Sequence, residues 1–493
     1  MKVLSSSVGP SAVDVDAVVV GVGSNKQLVG AAAELDRGTG GLLQRLLERD
    51  YLATKRFSVT QILAPAGIPA RQLLVVGLGE PPPQDDAGYA FRLAGTAAKA
   101  LATKRLRSIA FYLDVSPTWA AIAGARAAVV GQDLYRAEKK LFPPDELIFS
   151  GAAEEAVARG SVIGDAIKTA KDLINGPPNV VYPESLAERC RELGSTHGFD
   201  VEIWDEQRLL QERCHALLAV ASGSDRPPRL VIMRHHGGRP GTAPVALVGK
   251  GVTFDSGGLS IKPSESMADM KVDMSGSAAV IGAMQAIAAL KIPLHVVGLI
   301  GCVENMLNGR AYKLGDVITA RSGKTIEILN TDAEGRVVLA DVLDVALEQN
   351  CQAIVDLATL TGACVVALGQ RVAGAMTNSQ AWCDQVVSAA RYCGDDVWQL
   401  PMYPDYDEQI KSPVADIKNI GEGRWGGAIT GAKFLEQFVG TVPWVHLDIA
   451  GPASLDKPLP WADAGATGCF VNTLIELAHR LATQGTGSIP QKA

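Results

Sequence analysis

The stretch VALVGKGVTFDSGG, residues 245–258, joins an apolar run to a polar end that is rich in glycine. The apolar residues 245–248 predict a strand that is buried on both faces, as in a parallel sheet covered by helices. Asp255 and the glycine pair 257–258 follow at the place where open parallel sheets bind ligands. Glycines at that place let the backbone approach a bound group closely. The stretch therefore predicts an α/β domain with a site beyond the carboxyl end of this strand.

The same alternation of strands and helices continues on both sides of this stretch. Apolar runs predict strands at 230–233, 245–248, 294–300, 353–357, 365–368 and 445–449. Helical patterns occur at 277–290, 337–347, 382–392 and 471–481. Strands that alternate with helices are typical of layered α/β folds. We therefore predict a large α/β domain over 177–493 with a mixed central sheet.

Residues 1–150 predict a second, smaller α/β domain. Strand patterns at 16–21, 73–77 and 108–112 alternate with helical patterns at 42–49 and 91–104. Residues 152–175 are helix-forming and stop at Asn175-Gly-Pro-Pro178, a strong helix terminator. We therefore expect three segments, which are the small domain 1–150, a connecting helix 151–176 and the large domain 177–493.

Composition narrows the class of protein. The 493 residues are 47% hydrophobic and carry a net charge of -7, which excludes a mainly disordered chain and does not suggest a dedicated nucleic-acid binder. Residues 1–150 hold 17 basic and 14 acidic residues, so the acidic excess lies in the remainder. The eight cysteines show no CxxC spacing, and the first residues lack a signal-peptide pattern, which predicts a cytoplasmic protein. The apolar region 278–303 is interrupted by polar residues and predicts a buried helix and strand, not a membrane span.

Carboxylates and two cations follow the decisive strand. Asp255 precedes Lys262 and Asp273, and the segment NTDAEGR, residues 330–336, leads into an apolar helix. In extended backbone Asp332 and Glu334 would project to the same side and could face one cation. The spacing Thr331-x-x-Glu334 also matches a capping box, so this segment alone has two interpretations.

Taken together the acidic residues favour a metal site. Four carboxylates that converge in an apolar domain would repel one another unless cations balance them. Two divalent ions supply that charge, and oxygen ligands suit magnesium, manganese or zinc. A pair of such ions can share a bridging hydroxide, and Lys262 and Arg336 are then free to stabilise an oxyanion. The chain contains no HExxH, GxSxG or complete P-loop motif, which argues against zincins, serine hydrolases and P-loop NTPases.

These motifs resemble those of the leucyl aminopeptidases, the cytosolic two-metal family that includes the bacterial aminopeptidase A type. The matching segments, in the order of the family, are 248–258, 261–264, 330–336, 356–363, 426–430 and 446–451. The resemblance covers about residues 175–485, whereas 1–150 match only in size and pattern. One departure is Leu307-Asn308, where the family usually has proline and a small residue.

The resemblance implies a role for each matching residue. The five metal ligands would be Lys250, Asp255, Asp273, Asp332 and Glu334, with Asp255 and Glu334 bridging the two metals. Lys262 would stabilise the oxyanion, and Arg336 would hold a bicarbonate that acts as general base. The pocket for the first side chain and the product would be lined by Met270, Asn330, Thr359, Leu360 and Gly362. His446 and Asp448 match a motif without a ligand role and are interpreted as structural.

The implied reaction removes one N-terminal residue, preferably leucine or another apolar residue, from a peptide by attack of the bridging hydroxide. The family also implies a homohexamer whose active sites face an internal cavity. Two alternatives stay open. One is a DNA-binding architectural hexamer with little or no peptidase activity, for which the charge gives no support. The other is a metal-dependent phosphoesterase, because carboxylate-rich two-metal sites also serve phosphoryl transfer.

Overall fold

The computed structural model describes residues 1–82 and 85–484. The chain forms two compact units. Unit 1 comprises Met1–Lys168, Tyr392–Gly394 and Leu455–Gly465, and unit 2 comprises Thr169–Arg391, Asp395–Ser454 and the chain from Ala466 onward. Both units are α/β, which confirms the predicted fold class of a smaller N-terminal and a larger C-terminal α/β domain. The three predicted segment boundaries stay a prediction.

Unit 1 is built on a six-stranded sheet of order β1-β6-β5-β2-β4-β3. Its strands are β1 (Lys2–Ser6), β2 (Ala17–Gly23), β3 (Val59–Leu63), β4 (Gln72–Gly79), β5 (Ser108–Tyr112) and β6 (Glu146–Ser150). The first helices are α1 (Gly30–Gly38), α2 (Leu42–Glu48), α3 (Ala87–Leu101), α4 (Thr118–Ala127) and α5 (Glu154–Asn175). Five strands run parallel, and β3 pairs antiparallel with β4 at one edge. The predicted strands and helices of this region are confirmed, and α5 ends at Asn175 as its terminator predicts.

Part of unit 1 comes from a distant region of the sequence. The indole ring of Trp461 packs edge-on against Phe57, with ring centroids 5.0 Å apart. Lys99 Nζ donates hydrogen bonds to the carbonyl oxygens of Leu459 and Ala462, the latter at 2.7 Å. A long-range return of this kind leaves no periodic signal in the sequence, so residues 455–465 were assigned to the large domain.

Unit 2 surrounds an eight-stranded sheet of order β15-β14-β17-β13-β9-β10-β8-β7. The strands of this sheet are β7 (Asp200–Trp204), β8 (Arg229–His236), β9 (Val245–Asp255), β10 (His295–Asn305), β13 (Ala353–Ala358), β14 (Val372–Thr377), β15 (Asp396–Gln399) and β17 (Trp444–Asp448). Short strands outside it are β11 (Val317–Thr319), β12 (Thr325–Glu327), β16 (Ile417–Lys418), β18 (Ser454–Leu455) and β19 (Gly465–Ala466).

Ten further helices follow α5 in the described residues. They are α6 (Pro183–His197), α7 (Glu206–Gln211), α8 (His215–Ala221), α9 (Ser264–Met267), α10 (Ser275–Ala289), α11 (Glu334–Glu348), α12 (Gly362–Leu368), α13 (Gln380–Cys393), α14 (Gly427–Glu436) and α15 (Val471–Gln484). Two 3-10 segments, Met270–Met274 and Pro404–Ile410, lie between them.

The large sheet is mixed, as predicted. Strands β17, β13, β9 and β10 are adjacent and parallel, while β14, β8 and β7 join through antiparallel pairs. Strand β9 is buried along almost its whole length, which explains its unbroken apolar start. The carboxyl ends of the four parallel strands lie at one edge of the sheet, the place where such sheets bind ligands.

One predicted strand is wrong. Residues 365–368 form the end of helix α12, whose first turn is capped because Thr361 Oγ1 accepts a hydrogen bond from the backbone N–H of Cys364 at 3.0 Å. Val366 lies on the solvent face of this short helix and is 90% exposed. A short apolar run does not distinguish a helix from a strand, and here a local cap decides. The neighbouring strand β14 was not predicted.

The apolar region 278–303 forms the predicted helix and strand, α10 and β10. Within the described residues, Met270–Ala289 is the one helical stretch long and apolar enough to span a membrane. Because 89% of its most apolar window is buried inside the fold, it has the character of a core helix.

Candidate active site

Three buried carboxylates, one of them from Asp255 at the end of β9, meet beside a buried lysine of the same strand. Asp255, Asp273 and Glu334 each offer an oxygen, and these three oxygens lie within 4.8 Å of one another. Lys250 points from β9 into the group, with Nζ 2.7 Å from Asp273 Oδ1 and 2.8 Å from Glu334 Oε1. The structure therefore brings together four of the five predicted ligands.

Helix α11 begins at Glu334 and passes directly over Lys250. A Cβ atom at Gly335 would lie 2.5 Å from Lys250 Cε and 2.7 Å from Nζ, so only glycine leaves room for the lysine. Glu334 therefore reaches the site from the first residue of the helix. The glycine of the NTDAEGR segment is explained by this close approach.

The structure corrects the local geometry that both interpretations of residues 331–334 assumed. Asp332 lies in a turn, so Asp332 and Glu334 do not project from extended backbone. The capping box does not form either, because Ala333 precedes the helix without a side-chain cap. The Thr331 hydroxyl instead donates to the Gly257 carbonyl at 2.7 Å and accepts from the Ser260 N–H at 2.8 Å. Thr331 thus fastens the NTDAEGR segment to the loop after β9.

Lys262 closes the site from the same loop. Its Nζ lies 2.8 Å from Asp255 Oδ2 and also pairs with Asp332. The Lys262 side chain is 15% exposed and that of Asp332 is 32% exposed. Asp332 therefore lies at the rim and is not part of the compact group of three carboxylates. Lys262 stands between the buried group and solvent.

Asn305 and Tyr312 support the site and were missed by sequence reasoning. Asn305 ends β10 and donates from Nδ2 to Asp255 Oδ1 at 2.8 Å and to the Thr331 carbonyl at 2.9 Å. The Tyr312 hydroxyl donates to the same carbonyl at 2.9 Å. The available signal for Asn305 was its place at the end of a strand adjacent to β9.

Burial dominates the electrostatics of the group. Burial and the neighbouring Glu334 raise the pKa of Asp255, and burial raises the pKa of Asp273 well above its usual value. Burial alone would lower the pKa of Lys250, but the charges of Asp273 and Glu334 outweigh it and raise that pKa. The pKa of Lys262 is likewise raised by Asp255 against the effect of burial. Both lysines are therefore cations among these carboxylates.

Two oxygens of the group accept no hydrogen bond from the described residues. They are Asp273 Oδ2 and Glu334 Oε2, and both are buried. A buried carboxylate oxygen without a partner is costly unless a cation or water contacts it. These atoms are therefore the strongest local indication that the group can hold a cation.

Arg336 lies close to the group in the first turn of α11 and is buried. Its Nη1 donates to the Asn419 carbonyl at 3.0 Å, whereas its buried Nε makes no hydrogen bond within the described residues. Burial lowers the pKa of Arg336 to about 10, so the guanidinium is still charged near neutral pH. Asn419 also donates from Nδ2 to the Asn330 carbonyl at 2.6 Å. It is a further supporting residue that the sequence analysis missed.

The loop after β13 forms another wall of the site. Thr359 Oγ1 donates to Asp273 Oδ1 at 2.7 Å, and the Thr359 carbonyl accepts from Lys250 Nζ at 3.0 Å. Leu360 is half-buried, and a Cβ at Gly362 would meet only open space. Met270 is half-buried in the 3-10 segment that carries Asp273. The predicted pocket residues therefore lie on the segments that hold the buried group.

A second buried network lies in strands β13 and β17. His446 Nδ1 is 2.6 Å from Asp356 Oδ1, and Trp444 Nε1 donates to Asp356 Oδ2 at 2.5 Å. Burial alone would lower the pKa of His446, but the charge of Asp356 outweighs burial, and the pKa is raised. None of these three residues makes a described hydrogen bond to the carboxylate group, which fits the interpretation of His446 as structural.

Comparison with known proteins identifies relatives of both units. The model of the "Cytosol aminopeptidase family, catalytic domain" matches residues 168–475, and that of the family's N-terminal domain matches residues 19–139. A "Probable cytosol aminopeptidase" of Rhodopirellula baltica is 55% identical over 79% of this chain and 77% of its own length. One from Syntrophotalea carbinolica is 40% identical over 94% of this chain and 97% of its own.

Solved structures also resemble this chain over nearly its whole length. A point mutant of the tomato leucine aminopeptidase superposes with a TM-score of 0.87 at 32% identity, covering 97% of this chain and 96% of that one. The bottromycin maturation enzyme BotP in complex with Mn superposes with a TM-score of 0.84 at 35% identity, covering 95% of this chain and all of that one.

Proposed function

Because the chain belongs to the cytosol aminopeptidase family, we propose that the site in unit 2 removes the N-terminal residue from peptides, with a preference for leucine and other apolar residues. The observation that carries this proposal is the buried group of Asp255, Asp273 and Glu334 around Lys250, with Lys262 at its rim. The family membership already shows a peptidase hydrolase, and the proposal adds the reaction at the N-terminus and the preferred residue.

The residues present fit divalent cations, and we propose that the site holds two of them. Asp273 Oδ2 and Glu334 Oε2 are buried and lack hydrogen-bond donors among the described residues, and the ligand set is almost entirely oxygen. We propose that the two ions would be held by Lys250, Asp255, Asp273, Asp332 and Glu334. Manganese, zinc or magnesium suits such a set, and BotP has been solved with Mn. Two bound cations would supply Lewis acidity to the attacking water and to the scissile carbonyl.

Lys250 must lose its proton to serve as a ligand. Its ammonium group is held by Asp273 and Glu334 at ion-pair distance. An amine ligates a metal only through its free electron pair, so loading of the site would release this proton to solvent. Asp273 and Glu334 thus pair with the Lys250 ammonium in this structure and would hold the metals once the lysine is neutral.

Lys262 would stabilise the oxyanion of the tetrahedral intermediate. It stays protonated because Asp255 raises its pKa, and its amine is partly reachable from solvent. A fixed cation at the rim gains interaction energy as negative charge develops on the substrate carbonyl oxygen. Its present partners, Asp255 and Asp332, hold the amine in position for that role.

Arg336 would hold a bicarbonate ion, which supplies a proton acceptor beside the attacking water. The supporting observations are its charge, its buried Nε without a described partner and its orientation by the Asn419 carbonyl. Leu360 and Gly362, with Met270, Asn330 and Thr359, would line the pocket for the first side chain. An apolar pocket of this kind separates neighbouring aliphatic residues only modestly.

The test is hydrolysis of leucine p-nitroanilide by the purified full chain after chelation and again after manganese or zinc is returned. Activity should vanish and return, and N-acetyl-leucine p-nitroanilide should stay intact because its amine is blocked. Hydrolysis of p-nitrophenyl phosphate in place of the anilide would support the phosphoesterase alternative. Inactivity with every metal would overturn the proposal and leave DNA binding to be tested by a salt-dependent gel shift.

We further propose that the protein acts on peptides in the cytoplasm and assembles as a homohexamer. The relatives named as cytosol aminopeptidases support the location, and the assembly follows from the family resemblance. Analytical ultracentrifugation tests the assembly, with a mass near six chains as the expected result.

A further inference from the structure

Asp448 ends β17 and is fully buried behind the loop that follows β13. Its Oδ1 accepts backbone hydrogen bonds from Leu360 at 3.2 Å, Thr361 at 3.4 Å and Ala450 at 3.2 Å. Its Oδ2 accepts the hydroxyl of Thr361 at 2.7 Å. One carboxylate therefore holds two consecutive residues of the loop by backbone and side chain.

At Thr359 the same loop contacts the carboxylate group. Thr359 donates to Asp273 Oδ1 and accepts from Lys250 Nζ, as described above. The backbone N–H of the next residue, Leu360, donates a hydrogen bond to Asp448 Oδ1. A shift of the loop would therefore move a neighbour of two proposed metal ligands and the proposed pocket wall at the same time.

We propose that Asp448 is a positioning residue, which fixes residues 359–362 so that the first side chain of the peptide meets a preformed pocket beside Asp273. The proposal rests on the aminopeptidase function given above. It assigns a role to a residue that the ligand set does not use. Asp448 acts through the loop and does not itself reach the substrate.

A purely structural role is the competing explanation, and the chain contains a matched case. Asp341 in α11 is also fully buried and accepts backbone hydrogen bonds, from Leu217 at 2.9 Å and from Arg321 at 2.8 Å. None of its described partners belongs to the site. Asp341→Ala therefore removes the same kind of interaction from the same unit without touching the loop.

The experiment compares Asp448→Ala, Asp448→Asn and Thr361→Val with Asp341→Ala. Hydrogen exchange of the peptide covering 359–364 is measured first, because it needs no activity. Values of kcat and KM for leucine and alanine p-nitroanilide and the metal content of each variant are then measured. Asn keeps an oxygen for the backbone N–H groups, and its amide can donate to the Thr361 hydroxyl, so it serves as the conservative variant.

We expect Asp448→Ala to speed exchange in 359–364 and to lower kcat/KM for leucine p-nitroanilide about 100-fold, with much of the loss in KM. The preference for leucine over alanine should shrink. Asp448→Asn should recover KM to within about threefold, since the backbone donors keep an acceptor. Asp341→Ala should leave exchange in 359–364, KM and the preference unchanged.

Unchanged exchange in 359–364 for a folded Asp448→Ala would overturn the proposal, as would a KM and preference that match those of Asp341→Ala. If Asp448→Ala does not fold, Thr361→Val decides by the same measurements. It removes the hydrogen bond to Asp448 Oδ2 and the cap of α12 but keeps the backbone hydrogen bonds to Asp448 Oδ1. A wild-type protein inactive on both anilides would refute the proposed function, while the exchange data would still decide whether Asp448 anchors the loop.

Discussion

Gly335→Ala tests the packing of α11 over Lys250 most sharply. The new Cβ would lie 2.5 Å from Lys250 Cε, where an ordinary contact is at least 3.4 Å, so the end of the lysine must move by about 1 Å. Nζ is already 2.7 Å from Asp273 and cannot move closer, so it must withdraw and lengthen its pair with Glu334. The clash is with the end of a flexible side chain, so the fold itself should survive.

The magnitudes separate activity from stability. With an effective dielectric constant near 20, stretching one ion pair from 2.8 Å to about 3.8 Å costs about 1.6 kcal/mol. Alanine in a helix offsets about 0.5–1 kcal/mol of that loss. The free energy of unfolding of the chelated protein should therefore fall by only about 1 kcal/mol. Activity should fall about 100-fold, because the proposed ligand is displaced by about 1 Å.

The assays are urea unfolding of the chelated protein, elemental analysis after loading with manganese, and kcat/KM for leucine p-nitroanilide. Gly309→Ala is the matched control, since a Cβ there meets nothing within 4 Å and the backbone φ of Gly309 is not positive. That control should behave as wild type in all three assays. Full metal content and full activity in Gly335→Ala would refute the role of Lys250 in the site.

Three further predictions follow from individual contacts. Lys262→Ala should lower kcat about 10²–10³-fold, the effect of losing one oxyanion stabiliser, with metal content intact; normal turnover would contradict that role. Asp332→Ala should lower metal occupancy, and full occupancy by elemental analysis would contradict its assignment as a ligand. Asp341→Asn should lower the free energy of unfolding by about 1–3 kcal/mol at pH 5, since an amide nitrogen then faces Leu217 N–H or Arg321 N–H. Burial raises the pKa of Asp341 to about 7, so the free energy of unfolding of the wild type should fall as the pH rises from about 4 to 7. The difference in this free energy between the wild type and Asp341→Asn should therefore shrink by pH 8. A difference that widens with pH would show that the fold favours the carboxylate.

The sequence predicted which residues meet at the site better than it predicted their local backbone geometry. Asp255 could be placed because it follows a buried apolar run, and parallel strands bring their carboxyl ends to one edge, whereas Lys250, which lies within β9, was implied by the family resemblance alone. The convergence of Asp273 and Glu334 followed from charge balance among the carboxylates, and their contact with Lys250 followed from the family resemblance. The turn at Asp332 could not be read from an i, i+2 spacing, because that argument holds only for extended backbone.

Interactions between distant segments account for what was missed. Asn305 and Asn419 support the site through single hydrogen bonds from other elements, and neither belongs to a periodic pattern. The apolar run 365–368 predicts a strand where α12 forms, because the cap of this helix, Thr361, is visible only as a hydrogen bond to Cys364. The assignment of residues 455–465 to unit 1 depends on contacts with residues about 360 positions earlier.

Titration of the chelated protein with manganese tests the central claim most directly. Activity on leucine p-nitroanilide is followed while bound metal is counted by elemental analysis. A two-metal site predicts activity that reaches its maximum at two bound ions per chain. Maximal activity in the chelated protein, or saturation of activity at one ion, would contradict the account.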